Sequence, residues 1–210
     1  MERNWLQHCA SKEQLDFFDE WGYLVVDNAL SKEQVEKMTV AIDRVDSAER
    51  AAHGLKPHQT MAKFRTIVED GLFLDLLDND KVFPLAWDIL GWNIQHYISH
   101  LIVYLPESEG FGVNLGGWHQ DGGRPVRGVN TSDVTRKVIF IGYSYRWLRG
   151  LDYNNFPEEI LAQCDPIRRQ LMGDGVDVKG WWQPTDADVP LKTWIETHRG
   201  KEQLVDISGL

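Results

Sequence analysis

Two cysteines among 210 residues, Cys9 and Cys164, are too few and too widely separated for a disulfide framework or a thiolate metal knuckle. Their scarcity predicts a reducing compartment. No apolar run approaches the length of a membrane span, and the opening MERNWLQHCASKEQ lacks the apolar stretch of a secretion signal. The expected setting is therefore soluble and cytoplasmic. Positive charge is also in deficit: 22 Lys and Arg stand against 32 Asp and Glu, a formal net charge of -10. Such a field repels phosphate backbones and anionic lipid, which argues against nucleic acid or a membrane surface as partner and leaves small molecules and proteins. No phosphate-cradling glycine loop and no Ser/His/Asp arrangement is visible. The acidic residues Asp174, Asp177, Asp186 and Asp188 lack the spacing of a calcium loop and read as a solvated surface.

What is present suffices for a core. With 42% hydrophobic and 11% aromatic residues, and no linker or low-complexity segment, the chain reads as a single domain over residues 1–210. The tetrapeptide SKEQ occurs at 11–14 and again at 31–34, each time placing Gln three residues after Ser. Both predict capping boxes that open helices. In the second helix Val35, Met38, Ile42 and Val45 recur at helical spacing and should form a buried stripe. Tyr23–Val26 reads as a short β-rich run, and 46–60 as a loop or helix end. Short helices are expected over 72–77 and 85–90, the latter stopped by Gly91.

Beyond Gly91 the period becomes two. His96, Ile98, His100, Ile102 and Tyr104 should share one face of a strand, and Tyr97, Ser99, Leu101 and Val103 the other. In TRKVIFIGYSYRW, Arg136, Val138, Phe140 and Gly142 point one way and Lys137, Ile139, Ile141 and Tyr143 the other, which predicts a central strand. Helical spacing returns after Pro157, with Asp165 and Pro166 as N-cap and first-turn proline. A last helix is expected over 191–198. The Trp181–Trp182 pair reads as loop packing.

The chemistry concentrates in GGWHQDGGRPVRGVNTSDVTRK. In extended chain His119 and Asp121 project to the same side, so one imidazole and one carboxylate can reach one ion, with Trp118 beside them. That is two thirds of the facial triad that holds non-haem Fe(II). Alone the pair is weak, since an H-x-D arises by chance about 0.4 times in a chain of this composition. Arg136 heads an apolar strand, where a permanently charged guanidinium calls for an anion, a salt bridge or solvent.

On these residues the chain resembles the phytanoyl-CoA dioxygenase family of Fe(II)/2-oxoglutarate oxygenases. SKEQLDFFDEWGYLVVDNALSKEQVEKMTVAID is similar to the family's lead-in, GGWHQDGG to its first metal motif, and RGVNTSDVTRKVIFIGYSYRW to the segment carrying an Asn, a Ser and the co-substrate Arg. The resemblance implies a mainly β jelly-roll or double-stranded β-helix (cupin-like) fold with flanking helices. It implies Fe(II) on His119 and Asp121, 2-oxoglutarate on Arg136, and hydroxylation of a small organic substrate. The chain also departs from the family. Pro125, which cannot bind a metal, stands in the register of the distal metal His, and only fifteen positions separate Asp121 from Arg136. Measured against the family, this implies a core segment missing near 123–127, an incomplete barrel, and open strand edges that would invite a homo-oligomer. His100 is the alternative third ligand; His53, His58 and His198 read as exposed, and His96 has no stronger claim. The other functional reading is a pseudoenzyme or binding module that lost catalysis with the distal His.

Overall fold

The computed structural model describes residues 3–106, 130, 132–152, 156–174 and 183–200. Of these, 44% are helical and 15% lie in strands. The elements run α1 (Lys12–Trp21), α2 (Lys32–His53), β1 (Met61–Phe64), α3 (Gly71–Leu74), α4 (Phe83–Leu90), β2 (Ile94–Tyr104), β3 (Arg136–Tyr145), α5 (Glu158–Leu161), α6 (Pro166–Leu171) and α7 (Pro190–Arg199). The strands form one antiparallel sheet in the order β1-β2-β3. Among the described residues β2 is central and β3 is paired on one side only, where the apolar faces of β3 had predicted a central strand.

Local signals set the helix boundaries. Ser11 and Ser31 each accept from the backbone N–H three residues on, while Gln14 and Gln34 accept from the Ser backbone, so both capping boxes form. Asp165 caps α6 by accepting from the N–H groups of Ile167 and Arg168, with Pro166 in the first turn. Gly22 and Gly54 end α1 and α2 in the left-handed conformation. The β-rich run expected at Tyr23–Val26 does not pair as a strand: Tyr23 and Val25 are exposed, so nothing buries their β-favouring side chains.

One face of the sheet is buried in two clusters. Under α2, Ala41, Ile42 and Val45 pack on Met61, Leu101 and Val103. At the other end of the sheet a larger cluster gathers around Trp5, which is fully buried with Phe83, Trp87 and Trp194 at ring-centroid distances of 5.2, 5.1 and 4.9 Å. These edge-on rings join the chain's start to α4 and α7. Gln170 of α6 ties the layers together by donating to the Trp92 carbonyl and accepting from the Leu191 N–H.

A bulge between His96 and Ile98 interrupts the β2–β3 register. One extra residue exchanges the faces that follow it. Ile94 and His96 are buried before it, and Ser99, Leu101 and Val103 after it. His96 and His100 therefore do not share a face, as strict alternation would have required.

Candidate functional site

After the bulge the second face of the sheet carries His100, Ile102 and Tyr104 from β2. Directly opposite them stand Phe140, Val138 and Arg136 of β3, and β1 adds Phe64 beside His100. Phe64 and Phe140 remain 60% and 42% exposed. The His100 ring lies 4.3 Å from that of Phe140 and 5.6 Å from that of Phe64. The face thus combines aromatic walls with one imidazole and one guanidinium.

Arg136 is the first residue of β3, and its guanidinium carbon lies 4.6 Å from the centre of the Tyr104 ring. That is a cation–π contact across the strand pair. The turn before it is held by Asn130, a 5% exposed residue whose amide donates to the Tyr104 carbonyl at 3.0 Å and to the Val134 carbonyl at 2.8 Å. The Ser132 hydroxyl donates to the Asn130 side-chain oxygen at 2.7 Å. This Asn–Ser turn fastens the entry of β3 to the end of β2 and so directs Arg136 over Tyr104. Sequence reasoning noticed the Asn and Ser only through resemblance; the spacing of a side chain that closes a turn two residues on was the local signal.

His119, Asp121, Trp118 and Pro125 lie outside the described residues, as does the expected junction at 123–127. Of the remaining histidines, His53 is exposed and 3.3 Å from Glu49, His58 is exposed, and His198 stacks on Trp194 at 4.2 Å. His100 and Arg136 stand four positions apart along the sheet, about 13 Å at the usual rise per residue. The structure thus brings His100, Tyr104, Arg136 and Phe140 to one face and removes His96 to the other.

His96 belongs to a separate buried network. The Asp152 carboxylate oxygen Oδ2 accepts from the Ser99 N–H and hydroxyl, each at 2.6 Å, and lies 3.2 Å from Nε2 of His96. Ser99 Oγ also accepts from the Ile67 N–H. Burial raises the pKa of the Asp152 carboxyl, but the bonds from His96 and Ser99 outweigh it and hold the group below its usual value. The Ser99 hydroxyl donates its proton to the Asp152 carboxylate, which leaves Ser99 without the bond to an imidazole that would activate it as a nucleophile. The network fastens the segment after β3 to the middle of β2.

Arg146, just past β3, was not singled out by sequence reasoning. It is 2% exposed, and none of its three side-chain nitrogens has a hydrogen-bond partner among the described residues. Burial pulls its pKa down, partly offset by the charge of Asp188. A periodicity argument cannot find such a group, because it lies where the strand ends.

No family model matches the chain, and the comparisons with curated proteins and with solved structures give no significant match. The chemical assignment therefore rests on the motif and on the sheet face. Among the described residues no three His, Cys, Asp or Glu side chains converge as a metal set. On the described face, Arg136 and its aromatic surroundings suit an organic acid, while the iron ligands expected by resemblance are the two outside the described residues.

Proposed function

We propose that the protein is an Fe(II)/2-oxoglutarate-dependent dioxygenase of the phytanoyl-CoA dioxygenase type, acting on a small organic substrate on an incomplete jelly-roll scaffold. The observation that carries this reading is the placement of Arg136 at the head of β3, over Tyr104, on a face walled by Phe64, His100 and Phe140. His119 and Asp121 stand on the segment leading into that strand. When bound, iron and 2-oxoglutarate would supply the oxidising chemistry. The chain's part is to hold and orient them. Arg136 would hold the co-substrate's terminal carboxylate in a two-bond contact. Its stacking on Tyr104 would limit the directions the guanidinium takes, and Asn130 would fix the turn before it. His119 and Asp121 would hold the metal.

A second reading is favoured by Pro125, which occupies the register of the family's distal metal His. A binding module that kept the scaffold without turnover would account for that substitution. The two readings separate by anaerobic titration with Fe(II) and 2-oxoglutarate, followed by exposure to oxygen. The oxygenase reading requires a visible charge-transfer band on chelation and release of succinate. Arg136→Ala should then weaken 2-oxoglutarate binding roughly 10- to 100-fold, the worth of a charge-assisted hydrogen-bonded contact. Loss of the band and of succinate in the wild-type protein would leave the binding module.

A further inference from the structure

On the opposite side of β3 lies a cleft of about 460 Å³ between α2 and the inward-facing residues of the strand. Lys137, Ile139, Ile141 and Tyr143 alternate along its floor, while Met38 and Ile42 line the helix side. From Lys137 to Tyr143 the floor runs six residues, about 20 Å at the usual rise of a strand. Pockets of this volume accommodate small organic ligands. Val35 and Val82 also line the cleft and are 48% and 38% exposed. Val35 belongs to the stripe that the helical period predicts to be buried, and it is exposed where α2 borders the cleft.

The polar groups of the cleft are committed to the backbone. Tyr143 donates its hydroxyl to the Leu77 carbonyl at 2.7 Å, and Thr39 donates to the Val35 carbonyl. Asn79 accepts from the N–H groups of Lys81 and Val82. The middle of the cleft therefore demands an apolar body, because polar ligand atoms there would lose water without gaining partners. Lys137 differs. Its ammonium lies 2.6 Å from the Asp43 carboxylate, yet the Asp43 side chain is 57% exposed and that of Lys137 only 21%. A solvated carboxylate holds such an ammonium weakly, and three N–H donors allow a second acceptor to share it.

We propose that this cleft binds an elongated apolar molecule ending in one acidic group, the chain lying along Ile139 and Ile141 and the acid meeting Lys137. The site is distinct from the face that carries Arg136, because consecutive residues of a strand project to opposite sides. It does not rest on the oxygenase reading.

Titration calorimetry with three probes of equal chain length, dodecanoate, dodecanol and dodecyltrimethylammonium, tests the proposal in the full-length protein. With a net charge of -10, the overall field favours the cationic probe, so a preference for the acid reports a local cation. Dodecanoate should bind at one site and at least tenfold more tightly than the ammonium. Lys137→Met should weaken dodecanoate roughly two- to fivefold, the range for an exposed ion pair, and leave dodecanol unchanged. Thr39→Trp should fill the cleft from the helix side and abolish binding of all three; Ile139→Trp does the same from the floor if the first variant melts without cooperativity. Arg136→Ala should bind dodecanoate as the wild type does, whether or not the protein binds iron. Absence of saturable binding, equal affinity for acid and ammonium, or dodecanoate binding undiminished in the filled and Lys137→Met variants overturns the proposal.

Discussion

Replacing Asp152 by Ala removes one acceptor from three donors. The carboxylate is 2% exposed and accepts from Ser99 twice and from His96. Ser99 keeps its bond from Ile67, and its hydroxyl can rotate, but its N–H and Nε2 of His96 are left buried. The two stranded donors cost about 1–3 kcal/mol each, or about 3–5 kcal/mol together toward the upper end of that range. We take the upper range, because both remaining groups sit in mid-sheet where water cannot replace the lost partner. At about 2–4 °C per kcal/mol for a chain of this size, the melting temperature should fall by roughly 6–20 °C. Urea denaturation followed by circular dichroism at pH 7 measures the loss directly. The pH dependence supplies a second check. Because the folded-state pKa of Asp152 lies below its ordinary value, its stabilisation is complete above about pH 4 and disappears as the pH falls through the lower folded value. Asp152→Asn, which removes the titration, should flatten that acid limb. A loss below about 1 kcal/mol at pH 7, or an acid limb unchanged in Asp152→Asn, would refute the structural role assigned to the network.

Other outcomes follow from single contacts. Arg146→Met should raise stability by about 1–4 kcal/mol in the same urea assay, since it exchanges a buried cation without hydrogen-bond partners among the described residues for an apolar side chain of similar length. A loss would mean that the guanidinium is paired in solution. Ser31→Ala should cost about 1 kcal/mol by opening the capping box of α2, and Ser31→Asp should restore most of it. Burial is the first cause that raises the thiol pKa of Cys9 and of Cys164, so both should react with a disulfide reagent at pH 7 more slowly in the folded protein than in urea. Equal rates in the two states would contradict the burial.

Asn130 illustrates how far the site was legible. The Asn and Ser before Arg136 were noticed only through the resemblance, and Arg136 was visible as a charge at the head of an apolar strand. Its partner Tyr104 was placed on the right strand and, after the bulge, on the right face. What could not be read was the pairing register, which sets Tyr104 opposite Arg136 and His100 opposite Phe140. Register depends on two segments separated by a long stretch of chain, whereas periodicity describes one segment at a time. His96 was misplaced for the same reason, because one bulged residue reverses every face on its far side.

What the chain determines by itself is local. Serine and glutamine three residues apart close a capping box within one helical turn, a proline after Asp165 opens α6, and alternation in IQHYISHLIVY and RKVIFIGYSY makes strands wherever a layer exists to bury one face. These choices involve groups within a few residues of one another, so their energies are present in the sequence. The tertiary structure alone decided that Tyr23–Val26 would go unpaired, that Met61–Phe64 would become the third strand, and that Trp5 would sit among Phe83, Trp87 and Trp194. Each of those outcomes depends on which distant surface arrives to bury an apolar face, and burial is a property of the assembled molecule rather than of any segment.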